Sequence, residues 1–228
     1  MRHLLFLFLF NGTLVIAQGH GKVWLESGVK GEITKNLDWG VELTNRFGIY
    51  GLETFFPQAS LRYKVFKFMR VGLDYRAIFD KDEFTNYLFS NRVNANVDLK
   101  QKISRFTFTG RIRYQYAFNG LRNNIYYDAE FDQAIRLKPG ISYDVKDSPI
   151  SISTSAEFFY NPQYMEGGQQ FTKLRVWAGL DYALEFGEKK NKQVFDLGLG
   201  YIMDRQLNKA DPQLNHILNF SVTYNISN

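Results

Sequence analysis

The stretch of residues 172–186, TKLRVWAGLDYALEF, alternates strictly between two sets of side chains. The apolar set is Leu174, Val176, Ala178, Leu180, Tyr182, Leu184 and Phe186, and the other set includes Lys173, Arg175, Asp181 and Glu185. Successive side chains of a β-strand point to opposite faces of its sheet, so this pattern predicts a strand with one apolar and one charged face. Strands of soluble proteins usually have about 5–6 residues, so a strand of this length is unusual for them.

The same two-residue period recurs along the rest of the chain, and no stretch keeps the 3.6-residue apolar spacing of a helix. The pattern predicts eleven strands, at residues 22–33, 36–47, 53–65, 67–79, 86–100, 104–118, 131–145, 149–160, 170–186, 193–205 and 214–226. Most are longer than the roughly 9–11 residues that a tilted strand needs to cross a bilayer. Short connections, such as residues 34–36, alternate with longer ones, such as residues 48–54 and 119–130, as they do in outer-membrane barrels.

These features predict an all-β fold, an antiparallel up-and-down transmembrane β-barrel with a polar lumen. Single-chain bacterial barrels have an even number of strands, and eleven segments are one short of twelve. We therefore expect about twelve strands, with ten as the alternative if two of the segments form one strand. No linker or low-complexity stretch divides residues 18–228, so they are expected to form a single barrel domain.

The first residues of the chain, MRHLLFLFLFNGTLVIAQ, have the organisation of an export signal. The basic residue Arg2 precedes an apolar run over residues 4–16, and Val15 and Ala17 occupy the positions that signal peptidase recognises. Residues 1–17 are therefore predicted to be a signal peptide that is removed after export. The run is shorter than the ~20 apolar residues of a membrane-spanning helix. Together with the predicted barrel, this signal places the mature protein in the outer membrane of a Gram-negative bacterium.

Glycine and aromatic residues indicate which face of the barrel points outward. Seven glycines share the polar face of their strands: Gly28, Gly40, Gly72, Gly140, Gly179, Gly198 and Gly200. The concave inner surface of a closed sheet is crowded, and glycine relieves that crowding. Aromatic residues such as Tyr182, Phe186, Phe220 and Tyr224 lie instead on the apolar face near strand ends, where lipid-facing aromatic girdles occur. The polar face is therefore predicted to line the lumen.

The predicted lumen carries both signs of charge, and a ladder of charged residues along it is the candidate site. The ladder consists of Arg70, Asp74, Arg76, Arg111, Arg113, Arg136, Lys138, Glu157, Lys173, Arg175 and Asp181. Unpaired charges inside a narrow lumen would be costly, so arginine–carboxylate pairs are expected to replace a hydrophobic core. The other interpretation is a narrow, porin-like permeation path for a small solute, in which the arginines favour anions.

The composition excludes several classes of protein. The formal charge is +5 and the isoelectric point about 9.2, but the 28 Lys and Arg residues are interleaved with 23 Asp and Glu residues. Nucleic-acid binders cluster their basic residues, so no nucleic-acid partner is expected. The chain contains no cysteine, which excludes disulfides and thiolate metal sites. The expected partners are outer-membrane lipid and, during biogenesis, the barrel-assembly machinery.

Six stretches carry a resemblance to a known family. They are FTGRIRYQYAF (108–118), LKPGISYDV (137–145), SAEFFYNPQ (155–163), TKLRVWAGLDYAL (172–184), DLGLGYIMD (196–204) and NHILNFSVTYNI (215–226). In their order and spacing the chain resembles the outer-membrane family of unknown function numbered 2490. The resemblance implies a Gram-negative outer-membrane barrel, with no assigned activity and no catalytic residues. Barrel-assembly signals usually finish on an aromatic residue, whereas the last aromatic residue of this chain is Tyr224.

Candidate catalytic and metal-binding residues are few. His3 lies in the predicted signal peptide and His20 beside the predicted mature N-terminus, which leaves His216 as the strand histidine. Ser221 has the opposite strand parity to His216, so the two side chains are expected on opposite faces, where they cannot act as nucleophile and base. The acidic stretch FDKDEF (79–84) lacks the rest of a calcium-binding pattern and is expected to be a solvated loop. We therefore expect a non-enzymatic outer-membrane barrel without a cofactor or metal site, either a narrow pore or a structural component of the envelope. A lipid- or envelope-modifying barrel enzyme and a soluble extracytoplasmic lipocalin-like barrel are the alternatives.

Overall fold

The computed structural model describes residues 20–81, 86–119, 133–164, 168–186 and 193–226, and the predicted signal peptide lies outside them. The described residues form eleven β-strands: β1 (His20–Thr34), β2 (Leu37–Gly48), β3 (Gly51–Phe66), β4 (Met69–Lys81), β5 (Tyr87–Ile103), β6 (Phe106–Asn119), β7 (Gln133–Asp144), β8 (Ile150–Asn161), β9 (Gln170–Phe186), β10 (Gln193–Gln206) and β11 (Leu214–Ile226). Within these ranges no helix has the length and apolar character needed to cross a membrane. Every segment expected from the two-residue period is present as a strand.

The strands close into a barrel in which each strand pairs with its neighbours in the chain in an antiparallel fashion. The closing pair is β1 and β11, which run parallel, with Trp24 opposite Asn219 and Gly28 opposite Thr223. An odd number of up-and-down strands leaves the first and last strands pointing the same way, so the closing pair has to be parallel. The predicted up-and-down barrel is confirmed, with eleven strands in the described ranges where the even-number rule favoured about twelve.

The two faces of the barrel differ as the alternation predicts. On β9, Leu180 is 46% exposed on the outside, whereas Arg175 and Trp177 line the interior. The same division holds on β4 and β6, where the outward-facing Leu73 and Ile112 are 60% and 50% exposed. Apolar side chains thus cover the outer surface and polar side chains fill most of the interior, so the predicted polar lumen is confirmed.

The connections at the two ends of the barrel differ in length. At one end, which we call the short-turn rim, the strands are joined by residues 35–36, 67–68, 104–105, 145–149 and 187–192. At the other end, the long-loop rim, they are joined by residues 49–50, 82–86, 120–132, 162–169 and 207–213. The expectation of a long connection over residues 48–54 is wrong, because Gly48 pairs with Gly51 across a two-residue turn. Gly51 has a φ of +87°, which glycine adopts without strain and which lets the chain reverse so tightly.

The interior also contains an apolar cluster that the alternation did not reveal. Trp24, Ile202 and Ile217 are almost fully buried and pack together with Trp177 inside the barrel. These residues come from β1, β10, β11 and β9, so the cluster spans the parallel seam between the first and last strands. Gly200 leaves room for the Trp177 indole, with which any added Cβ would collide. Apolar packing therefore reinforces the hydrogen bonds that close the barrel.

Aromatic side chains form cross-strand pairs on the outer face near both rims. Near the long-loop rim, the rings of Phe55 and Phe79 stack with their centroids 4.5 Å apart. Near the short-turn rim, the rings of Phe195 and Tyr224 lie 4.9 Å apart. Pairs of this kind add roughly 0.5–1.5 kcal/mol beyond their buried area, so they stabilise the strand pairing where each strand ends.

Replacing Gly179 by valine should destabilise the barrel by about 1–3 kcal/mol, the usual cost of overpacking a close-packed interior. A Cβ at this position would lie 2.5 Å from the Leu199 carbonyl oxygen and 2.8 Å from Gly200 Cα, which are backbone atoms of the neighbouring strand. Guanidinium unfolding of the purified protein measures the loss. The matched control is Gly110→Val on the outer face, where the nearest atom, Leu99 Cβ, would be 3.9 Å away. Equal stability of the two variants would contradict the crowding of the inner face.

Candidate functional site

The barrel encloses a chamber of about 1120 Å³ that is lined by side chains from all eleven strands. A smaller cavity of about 430 Å³ adjoins it toward the short-turn rim, where it reaches Lys67 and Arg70. The two cavities share four lining residues, Arg62, Thr109, Arg111 and Lys138, and we call this section the neck. Three of the four side chains are cationic, so positive charge borders the section where the two cavities adjoin.

Asp74 on β4 is completely buried beside the neck and is held by three neighbours. Its carboxylate accepts hydrogen bonds from Arg62 Nη1 at 2.5 Å, from Arg113 Nη2 at 2.9 Å and from Asn96 Nδ2 at 2.9 Å. Hydrogen bonds between ionised partners are roughly twice as strong as neutral ones. One carboxylate thereby fixes the positions of two arginines that come from different strands.

Asp98 on β5 extends this network across the neck. Its carboxylate accepts a hydrogen bond from Arg111 Nε and lies 3.3 Å from Arg62 Nε. Arg62 therefore bridges Asp74 and Asp98, so the neck residues Arg62 and Arg111 belong to one connected group of ion pairs. Because carboxylates hold both arginines, their side chains have fixed positions at the neck.

A second ionic network lies in the half of the chamber nearer the long-loop rim. Glu157 accepts a hydrogen bond from Arg136 Nε at 2.9 Å and lies 3.8 Å from Arg175 Nη1. Arg175 in turn donates to Asp204 at 2.5 Å. These side chains are at most 15% exposed. A buried charge without a partner is costly, so these ion pairs are what allow charged side chains to fill this part of the barrel.

The structure places most of the predicted luminal ladder around the chamber. The chamber-lining members are Arg76, Arg111, Arg113, Arg136, Lys138, Glu157, Lys173, Arg175 and Asp181. Asp74 is buried among them. Arg70 lies apart at the smaller cavity, where its half-exposed side chain donates to Asp38 at 2.8 Å.

The aromatic side chains inside the chamber were not recognised from the sequence as part of the site. Trp24, Phe56 and Phe159 line the chamber, and arginine guanidinium groups lie over their ring faces. Arg136 Cζ, for example, lies 4.5 Å from the centroid of the Phe159 ring. A signal was present, because each of these rings shares the strand parity of the charged luminal residues.

Positive charge dominates the chamber wall. Ten cations line it, Arg46, Arg62, Arg76, Arg92, Arg111, Arg113, Arg136, Arg175, Lys138 and Lys173, against five carboxylates, Glu26, Glu42, Glu157, Asp80 and Asp181. Carboxylates buried behind the wall, such as Asp74 and Asp204, reduce this excess. A cleft lined by one sign of charge concentrates ions of the opposite sign, so the chamber attracts anions.

His216 and Ser221 lie on opposite sides of β11. Ser221 lines the chamber, whereas His216 lies on the outer face, with its Nδ1 hydrogen-bonded to the Tyr201 hydroxyl. In the described part of the chain, no three His, Cys, Asp or Glu side chains are grouped so that they could hold a metal ion. Asp82 and Glu83 of the acidic stretch lie outside the described residues.

Fold and interior together define the class of protein: a closed up-and-down β-barrel with an apolar outer surface and an ionic core. Comparison with known families matches residues 21–215 to the family described as "Protein of unknown function (DUF2490)". The match covers most of the chain, which belongs to this family, as the resemblance in its sequence implied. Neither the search of curated proteins nor the search of solved structures returned a match.

Replacing Asp74 by asparagine should lower the free energy of unfolding by about 3–5 kcal/mol, because Arg62 and Arg113 lose the buried carboxylate that they share. The matched control is Asp38→Asn, which removes the carboxylate from the exposed pair with Arg70 and should cost at most about 1 kcal/mol. Guanidinium unfolding measures both values. A cost for Asp74→Asn as small as that of the control would show that the buried network does not hold the barrel together.

Proposed function

We propose that this protein is an integral β-barrel of a Gram-negative outer membrane, that it carries a narrow cation-lined path for small solutes, and that it has no catalytic role. The observation that carries the proposal is the distribution of side chains, with leucine, isoleucine and aromatic residues exposed outside and ion pairs inside. Monomeric soluble proteins rarely expose an apolar patch larger than about 300–600 Å². A bilayer offers this surface the apolar surroundings that water does not.

The dimensions and hydrogen bonding of the strands support the membrane location. The strands have 12 to 17 residues, and a tilted strand needs about 9–11 to cross a bilayer. Closure of the barrel leaves no sheet edge with unpaired backbone groups, which is the condition for a sheet to span a membrane. The aromatic pairs near both rims suit the headgroup level, where aromatic girdles occur.

Two features of the sequence support the same location. Residues 1–17 have the basic start, apolar run and cleavage positions of an export signal. The resemblance to the family also implies an outer-membrane barrel. Outer-membrane lipid would then be the main partner of the outer face, and the barrel-assembly machinery would act during insertion.

The interior supports a path for small anions. The chamber and the smaller cavity meet at the neck, where Arg62 and Arg111 are held by carboxylates and border the passage. Rings of fixed cationic side chains favour anions in pores of this kind. The neck would then set the size limit, and the excess of cations along the chamber wall would set the preference for charge.

The alternatives fit the described residues less well. A soluble lipocalin-like barrel requires an apolar interior and a polar exterior, which is the reverse of the arrangement found. A lipid-modifying barrel enzyme requires a base beside its nucleophile, whereas His216 and Ser221 lie on opposite faces of one strand.

Arginine substitutions on the outer face should destabilise the barrel according to their depth in the membrane. Ile112 is 50% exposed at the middle of β6, and Ile33 is 54% exposed at the short-turn end of β1. We expect Ile112→Arg to cost about 2–4 kcal/mol and Ile33→Arg at most about 1 kcal/mol. Guanidinium unfolding in lipid vesicles, followed by heat-dependent migration on gels, gives both values.

If the barrel were soluble, Ile112→Arg and Ile33→Arg would have a different outcome. An arginine on a water-exposed surface changes stability by at most about 0.5 kcal/mol, whatever its height on the barrel. Small and equal effects at Ile112 and Ile33, with a monodisperse protein in detergent-free buffer, would refute the outer-membrane location.

The purified barrel should form narrow, anion-selective pores in planar lipid bilayers. Arg111→Ser should increase the conductance and reduce the preference for anions, because it removes a cationic side chain from the neck. Lys102→Ser is the control, since Lys102 is exposed at the end of β5, pairs with Asp144 and lines neither cavity. A silent bilayer from correctly folded protein would exclude the pore and leave the membrane location standing.

A further inference from the structure

Two arginines and two aromatic rings alternate across four adjacent strands in the half of the chamber nearer the long-loop rim. Arg46 Cζ lies 4.0 Å from the ring centroid of Trp24 and 4.8 Å from that of Phe56. Arg76 Cζ lies 4.2 Å from the same Phe56 ring. The row therefore runs from Trp24 on β1 through Arg46 on β2 and Phe56 on β3 to Arg76 on β4, and all four residues line the chamber. Contacts with ring faces hold a guanidinium in place without using its N–H donors.

These two arginines have no carboxylate within ion-pair distance in the described part of the chain. Arg113 and Arg136, by contrast, are bound to Asp74 and Glu157. Arg76 donates two hydrogen bonds, at 3.0 and 2.5 Å, and both go to Oε1 of the neutral Gln58, its register partner on β3. The Nε of Arg46 is buried and has no hydrogen-bond partner.

The charges that surround the pair are mostly those of other arginines. The four charges that act most strongly on Arg76 belong to Arg113, Arg92, Arg46 and Arg136. Arg46 is repelled most by Arg175 and Arg92 and is attracted less strongly by Asp80 and Glu26. Like charges crowded into a partly desolvated space are unfavourable unless a counter-ion joins them. A bound anion would therefore stabilise this row of side chains.

We propose that Arg46 and Arg76 form a binding site for the phosphate group of a small solute. The planar guanidinium fork of arginine matches the spacing of phosphate oxygens. A phosphate monoester carries a charge of about −1.5 to −2 at neutral pH, which balances two uncompensated cations, whereas a monocarboxylate would balance only one. Arg46 Cζ and Arg76 Cζ lie 4.8 and 4.2 Å from the centroid of the same Phe56 ring, so they are at most about 9 Å apart, and both side chains line the chamber.

Access to the chamber and its size are compatible with such a ligand. Its lining includes Thr54, Asp80 and Leu88, which lie near the long-loop ends of β3, β4 and β5. Its volume of about 1120 Å³ exceeds the roughly 300–1,000 Å³ of typical small-molecule pockets, which leaves room for free phosphate or a phosphorylated sugar. The site requires only the folded barrel, so it does not rest on the membrane location or on the pore.

Isothermal titration of the detergent-folded protein tests the site, with inorganic phosphate in one arm and glucose 6-phosphate in the other. Ionic strength is held constant with sodium chloride. We expect saturable binding in at least one arm, and the stronger arm identifies free or esterified phosphate as the ligand. Arg46→Gln and Arg76→Gln should each weaken binding about tenfold to a hundredfold, the effect of losing hydrogen bonds to a charged group.

Two control variants separate a defined site from a general attraction of the lumen for anions. Arg70→Gln removes the same charge near the short-turn rim, where Arg70 pairs with Asp38, and should leave binding unchanged. Arg46→Lys keeps the positive charge but loses the planar guanidinium fork, so binding to a defined site should weaken. If the lumen only attracted anions through its general positive potential, the affinity of this variant would be unchanged. Phe56→Leu removes the shared ring and should weaken binding with both arginines present. Heat-dependent gel migration verifies that each variant is folded.

Three results would overturn the proposal. The first is the absence of saturable binding in both arms with the wild-type protein. The second is a loss of affinity in Arg70→Gln as large as that in Arg46→Gln. The third is full affinity in both Arg46→Lys and Phe56→Leu.

Discussion

Charge compensation inside a closed sheet is the constraint on which the rest of this barrel depends. Because most apolar side chains point outward, most of the interior is filled by polar ones, and a buried charge is costly unless it is paired. Several pairs skip a strand. Arg113 on β6 reaches Asp74 on β4, and Lys30 on β1 reaches Asp196 on β10 at 2.8 Å. Such pairs connect strands that backbone hydrogen bonds do not, so the ionic core gives the barrel its internal cross-links.

Under the same constraint, a buried arginine without a carboxylate partner is informative. Around the neck and along β7 to β10, arginines and carboxylates meet directly. In the row formed by Trp24, Arg46, Phe56 and Arg76, aromatic rings stand where carboxylates would be expected. A ring face attracts a guanidinium but does not cancel its charge. The row therefore keeps its arginines in place and leaves their charge available to a ligand, which is how a structural core can also contain a binding site.

Local periodicity explains how much of this structure was predictable from the sequence. The alternation in residues 172–186 is a property of consecutive residues, so it revealed the strands, the outer face and the luminal position of the charged ladder. The turn at residues 49–50 was missed, because the glycines that flank it resemble those of a longer loop. The pairing of Arg113 with Asp74 was not predictable, since it depends on the register of strands that are distant in the chain.

The aromatic rings of the chamber and the seam cluster show the same limit. Trp24 and Ile217 are separated by almost the whole chain, and only closure of the barrel brings them together. Both also depart from the alternation of apolar and charged residues, because each is an apolar residue on the charged face of its strand. Closure of the barrel brings such residues into contact, and the alternation within a single strand carries no information about how the barrel closes.

The parallel seam also determines how the chain could be rearranged. β1 and β11 both run from the long-loop rim to the short-turn rim, so the beginning of β1 and the end of β11 face opposite ends of the barrel. In an even-stranded barrel a short hairpin would join these two points, and the chain could be opened elsewhere by circular permutation. Here the joining linker would have to travel the height of the barrel, roughly 30–40 Å for strands of this length that are tilted by about 35–45°. Ion pairs narrow the lumen at the neck, so that linker would have to run along the outer wall, across the apolar surface.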